Sequence, residues 1–244
     1  MKLTVLGKYG PYPRAGGACS GYLLEVGDLR LMLDCGSGTL SRLQQHVKIE
    51  DLDAIILSHL HSDHMADLLV LRYGLPAMVA DGRRSAPLPL YLPQEPADVA
   101  GLLRAEKGFT AHTVRSGDTV MLQDTKLSFF GVRHLVPCNA LRVEQGGVSF
   151  VYSGDLNTTP GFENFARGAD FLLIDGCLSC ARWSENGPHL TSELAAEVAR
   201  KAGVGRVLIT HIHPEIEEST LLEEARRAHP SAELAQEGVQ YLIK

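Results

Sequence analysis

The chain has 244 residues, 45% hydrophobic and 21% charged, with a net charge of −6. Such a composition supports a sizeable buried core, and the acidic balance excludes a protein whose affinity comes mainly from neutralising a phosphate backbone. Residues 1–244 contain no low-complexity linker or long charge run and are expected to form a single α/β domain. The start, Met1–Leu6, lacks a signal-peptide pattern, and no run approaches the roughly 20 apolar residues of a membrane span. A cytoplasmic location without membrane contact is expected.

In chain order, β-branched and apolar runs between turn signals predict strands over Leu3–Leu6, Ser20–Val26, Leu29–Asp34 and Ala54–Ser58. A helical period follows over His64–Tyr73, and a second over Pro96–Lys107 behind its proline. Strands are then expected over Lys126–Val132, Asn139–Val143, Val148–Ser153, Phe171–Asp175 and Val207–Thr210, with helices over Ser192–Ala202 and Ser219–Ala228. A strand-rich first half followed by alternating strand and helix predicts two sheets packed face to face with helices outside.

Directly after the buried run Ala54–Leu57 come Ser58, His59, Leu60, His61, Ser62, Asp63 and His64. Three imidazoles and a carboxylate in six residues predict metal binding. On extended chain His59 and His61 project to the same side, while Asp63 and His64 fall where the chain turns into a helix. One open tetrahedral zinc needs three protein ligands, so four here, with distant partners, point to two cations about 3.5–4 Å apart. Partners that each follow a strand would land at the same sheet edge, and His134, Asp155 and His211 meet that rule. Asp155 could bridge both cations, with Gly154 before it permitting close backbone approach.

In order, His59-x-His61-x-Asp63-His64, His134, Asp155 and His211 resemble the motifs of the metallo-β-lactamase superfamily over nearly the whole chain. Within it, His134-Leu-Val-Pro137-x4-Arg142 and Thr210-His211-Ile resemble the ribonuclease Z-like phosphodiesterase branch. The resemblance implies the four-layer αββα sandwich. It also implies that His59, His61 and His134 bind one divalent cation, that Asp63, His64 and His211 bind the other, and that Asp155 binds both. Zinc is the expected metal, with manganese and iron as alternatives. Asp34 matches an early aspartate that fixes the ligand loop, competing with a plain turn-forming role. His189 matches a histidine that protonates the leaving group, competing with a polar residue before a helix, and Asp63 could also take a proton from the nucleophile.

Two departures bear on substrate. Gly176 is taken to stand where ribonuclease Z proper carries a glutamate, and only twenty residues separate His134 from Asp155, where that enzyme inserts a tRNA-gripping arm. These favour a small or cyclic phosphodiester over tRNA 3′-processing, and relatives of this kind commonly form homodimers. A lactone or thioester hydrolase on the same metals, and a non-catalytic metal-binding protein, are the alternatives. Arg14, Arg142 and Arg182 are candidate phosphate holders, and the polar stretch Ser179–Pro188 with the only tryptophan, Trp183, is a candidate lip of the site. His112 and His213 match no motif. Cys177 and Cys180 have CxxC spacing without the second pair a zinc knuckle needs, and are read as ordinary buried residues.

Overall fold

A computed structural model describes residues Met1–Lys244. Along the chain run β1 (Lys2–Gly7), β2 (Gly21–Val26), β3 (Leu29–Cys35), α1 (Thr39–Leu43), β4 (Ala54–Ile56), α2 (Ser62–Met65) and α3 (Leu68–Ala80). They are followed by β5 (Leu88–Leu92), α4 (Ala97–Arg104), β6 (Phe109–Thr113), β7 (Thr119–Leu122), β8 (Thr125–Val132), β9 (Cys138–Gln145) and β10 (Val148–Tyr152). The last third holds α5 (Phe162–Ala166), β11 (Phe171–Asp175), α6 (Ser192–Ala202), β12 (Arg206–Thr210), α7 (Glu218–Ala228), β13 (Glu233–Leu234) and β14 (Gln240–Leu242).

The strands form two seven-stranded sheets, ordered β14-β1-β2-β3-β4-β5-β6 and β13-β12-β11-β10-β9-β8-β7. Period-two burial explains the layering. Leu3, Val5, Leu31 and Leu33 of the first sheet meet Phe150, Tyr152, Phe171 and Leu173 of the second in a central apolar layer. Their outward neighbours Leu6, Met32 and Ile55 pack with Leu68, Leu71 and Leu75 of α3. Val151, Leu172, Ile174 and Ile209 pack with Ala195, Ala199 and Leu221 of α6 and α7. The result is the expected αββα sandwich. No helix is long and apolar enough to cross a membrane.

Several expected boundaries are corrected. The helix expected over His64–Tyr73 is two elements, α2 and α3, and α3 continues through Pro76 to Ala80. Strands β5, β6 and β7 were not foreseen; β5 carries Pro89, and β7 lies at a sheet edge with no fully buried residue. The twenty residues between His134 and Asp155 are mostly β9 and β10, joined by a hairpin at Gly146 and Gly147.

What matters for function is where the strands stop. β3, β4 and β5 run parallel, as do β10, β11 and β12, so the C-terminal ends within each group share one edge. Phe150 is fully buried in the central layer, so Phe150→Ala is expected to lower unfolding free energy by about 3–5 kcal/mol. Urea denaturation followed by circular dichroism measures it; a loss under about 1 kcal/mol would mean this layer is not tightly packed.

Candidate metal centre

Each expected ligand follows a strand end. Ser58 and His59 leave β4, His61 precedes the short helix α2 that carries Asp63 and His64, His134 leaves β8, Asp155 leaves β10 and His211 leaves β12. The backbone takes the left-handed conformation at two non-glycine residues of the site, Asp34 near the end of β3 (φ 54°) and His211 just after β12 (φ 57°). That strain persists only where surrounding contacts hold it, as these do. Gly154 also has positive φ (59°), and a Cβ there would lie 2.8 Å from Cys138 Sγ and 2.9 Å from Ser58 Cβ, so only glycine fits between the two sheets.

Asp34, fully buried, organises the first part of the site. Its carboxylate accepts the Ser58 amide (2.7 Å), the Ser58 hydroxyl (2.8 Å), His64 Nδ1 (2.7 Å) and the Tyr152 hydroxyl (2.6 Å). Because Ser58 spends its hydrogen on Asp34, its oxygen must accept from His59 Nδ1, 3.0 Å away. His134 Nδ1 faces the Pro188 carbonyl at 3.2 Å and must donate to it. These bonds set the tautomers of the neutral rings of His59, His64 and His134, so that in the neutral form Nε2 of each presents a lone pair directed inward.

The inward atoms form two groups. His59 Nε2 and His134 Nε2 each lie 3.1 Å from His61 Nδ1, and 3.6 and 3.7 Å from Asp155 Oδ2. His211 Nε2 lies 3.2 Å from Asp63 Oδ2 and 3.3 Å from Asp155 Oδ2, while His64 Nε2 lies 3.7 Å from Asp63 Oδ2 and 3.2 Å from Asp155 Oδ1. Tetrahedral bonds of about 2.0–2.1 Å place neighbouring donors about 3.3 Å apart, which matches both groups.

Hydrogen bonding alone does not account for the arrangement. The single hydrogen of neutral His61 could serve only one of the two lone pairs facing it. His64 Nε2 and Asp155 Oδ1, both buried, face each other at 3.2 Å without a well-aligned hydrogen bond, and neither has another partner. A cation in each group resolves every one of these contacts, so the residues present fit a pair of divalent metal ions. Gly10 supports the same arrangement from outside: a Cβ there would stand 1.9 Å from His211 Nε2.

Electrostatics separate the two groups. Burial and the neighbouring His64 hold His59 well below its ordinary range, and burial also lowers His61 and His134, so these three are neutral ligands in waiting. Burial opposes charge on His64 and His211 too, but Asp155 and Asp34 raise His64 to about 10, and Asp155 with Asp63 raises His211 well above the usual value. Burial likewise works against the Asp155 carboxylate, yet the facing His211, His64 and His59 keep it well below the normal carboxylate range.

His189 lies between the groups. Its ring stacks on His211 at 4.8 Å between centroids and sits 5.3 Å from that of His134, and its Nδ1 donates to Asp175 Oδ2 at 2.8 Å. Asp175 was missed in sequence. Gly176 was compared with the family's glutamate, but the acid stands one residue earlier, at the end of β11, and is fully buried. Its other oxygen accepts the Cys177 amide at 2.9 Å.

Other expectations are corrected. Arg142 donates to the Phe165 and Arg167 carbonyls and pairs with Glu144, and Arg14 donates to the Pro214 and Ile216 carbonyls, so neither guanidinium is free for a phosphate. Only Arg182 keeps a loose partner, Glu215 at 3.6 Å. Cys180 is exposed rather than buried, with its thiol 3.0 Å from Glu193 Oε2. His112 stacks on Tyr91, and His213 Nδ1 accepts the Glu215 amide.

A two-sheet sandwich with histidine and aspartate donors converging at one edge defines a metal-dependent hydrolase of metallo-β-lactamase type. The chain belongs to the family described as Beta-lactamase superfamily domain, which matches residues 29–212. Bacillus subtilis Probable metallo-hydrolase YhfI is 33% identical over 216 residues, covering 87% of this chain and 87% of that protein. Its crystal structure superposes with a TM-score of 0.93 at 30% identity, covering 98% of each chain. Ribonuclease Z of Methanopyrus kandleri is 27% identical over 281 residues, 100% of this chain and 98% of that one. These relatives agree with the ribonuclease Z-like resemblance of the motifs.

Two predictions follow from this geometry. The facing carboxylates favour the protonated form of His64 and His211, and a bound cation requires both rings neutral, so metal uptake is expected to release protons and affinity to fall as pH is lowered. Calorimetric titration in buffers of differing ionisation enthalpy counts them; zero release would contradict the assignment of these rings. Gly10→Ala drives its methyl into His211 and is expected to weaken metal affinity by about 10–100-fold, measured by competition with a chromophoric chelator.

Proposed function

We propose that the chain is a phosphodiesterase that acts on a small or cyclic phosphodiester through two metal ions. His59, His61, His134 and Asp155 would hold one cation, and Asp63, His64, His211 and Asp155 the other, with zinc the best match to a set dominated by imidazole and manganese or iron as alternatives. When bound, such a pair yields a nucleophile from water at neutral pH and neutralises charge on the phosphoryl oxygens.

The observation that carries the reading is the His189–Asp175 pair seated between the two donor groups. Asp175 holds Nδ1, so Nε2 is the atom that can deliver a proton to a departing alkoxide oxygen. Asp63, the least buried carboxylate of the two groups, is the candidate to accept a proton from the attacking water. The Methanopyrus kandleri relative is by name a ribonuclease, a phosphodiester-cleaving activity. The tight β9–β10 hairpin leaves no arm between His134 and Asp155, which supports a compact substrate.

Zinc-loaded protein is expected to hydrolyse bis(p-nitrophenyl) phosphate and at least one cyclic nucleotide faster than a tRNA precursor or any lactone. Activity confined to lactones would overturn the proposal. His189→Ala should lower kcat by about 10²–10⁴-fold on alkyl-leaving phosphodiesters. The loss should be much smaller with p-nitrophenolate, which departs without protonation. Equal losses on both would remove His189 from the acid role.

A further inference from the structure

Asn157 lies two residues beyond Asp155 and is fully buried, yet none of the chemistry above uses it. Its Nδ2 donates toward three carbonyls, those of Ser184 (3.1 Å), Glu185 (3.3 Å) and Gly187 (2.7 Å). Its Oδ1 accepts the Thr158 amide at 2.7 Å and the Trp183 indole N–H at 3.4 Å. Both of those partners are obligate donors and all three carbonyls are obligate acceptors, so the orientation of the amide is fixed by chemistry. One side chain thus grips both ends of the segment Trp183–Pro188.

That segment touches the metal centre at its far end. The Pro188 carbonyl accepts from His134 Nδ1, and the next residue is His189. Arg133, immediately before His134, reinforces the same connection: its guanidinium donates to the Glu185 carbonyl at 2.9 Å and its own carbonyl accepts the Asn157 amide at 3.0 Å. The ends of β8 and β10 and the approach to α6 are therefore stitched together around one carboxamide.

We infer that Asn157 is a positioning residue, clamping the 183–188 strap so that the strap carbonyl orients His134 and the strap end delivers His189. The inference rests on the assignment of His134 as a ligand and His189 as the acid. It places the polar stretch around Trp183 as a brace behind the ligands. Nothing similar holds His64 or His211, whose supports are Asp34 and Gly10. Loosening Asn157 is therefore expected to act chiefly on the cation that His134 helps to hold.

Asn157→Ala and Asn157→Asp remove the three donations, and the aspartate retains the acceptor. In both, titration with zinc alone should show one of two sites weakened by about 10–100-fold and the other changed less than about twofold. Trp183, the only tryptophan, reports strap release directly, as red-shifted emission and greater quenching by iodide. On an alkyl-leaving phosphodiester kcat should fall with KM nearly unchanged at saturating zinc. Equal weakening of both sites, or unchanged emission with unchanged affinities, overturns the inference. Should neither variant fold, Arg133→Ala, altered at an exposed side chain, must shift Trp183 emission and weaken the same single site by a smaller factor, and no change in it refutes the role. Metal and fluorescence readings need no substrate, so an inert wild-type protein whose variants still lose one zinc site would refute the proposed activity while leaving the brace intact.

Discussion

Asp155 stands where two groups of ring nitrogens meet, its Oδ2 facing His59, His134 and His211 and its Oδ1 facing His64, and the fold is organised to keep that carboxylate buried among imidazoles. An isolated buried carboxylate is costly, and so is a cluster of imidazoles with opposed lone pairs. Placed together they compensate each other in part, and the pair of cations proposed above would complete the compensation. This is why the supporting bonds matter as much as the donors: Ser58, Asp34 and Pro188 consume the outer nitrogens and leave the inner ones no alternative partner.

The protein secures this arrangement with rigid strand ends rather than with one long loop. Donors arrive from β4, β8, β10 and β12, drawn from both sheets, so the site can form only after the central apolar layer has brought the sheets into register. The left-handed backbone at Asp34 and His211 is the local cost of turning chains sharply at that edge. Binding geometry is in this sense a product of core packing.

Much of this could be read from the sequence. The crowding of His59, His61, Asp63 and His64 after an apolar strand was conspicuous, and the requirement that distant partners follow strands selected His134, Asp155 and His211. The two-sheet layering was legible from the change of pattern along the chain, from a strand-rich first half to alternating strand and helix. What escaped notice had physical reasons. Strands β5 and β7 contain a proline or lie at an edge, and the continuation of α3 beyond Tyr73 was hidden by Gly74 and Pro76, which read as helix breakers. Asp175 was missed because positional comparison slipped by one residue at a β-strand end, where the carboxylate's direction is set by the strand's pleat. Asn157 gave no signal because a carboxamide acquires a role only through carbonyls some thirty positions away.

The hairpin at Gly146 and Gly147 has a wider implication. It joins the two strands between His134 and Asp155, but it does so at the end opposite the donors, roughly 25 Å from them along the eight residues of β9. A Cβ at either glycine would meet nothing. Chain added at that turn would project into open space a full strand length from the donors, so the most freely extensible point of the connection between His134 and Asp155 is also the one furthest from the reacting edge.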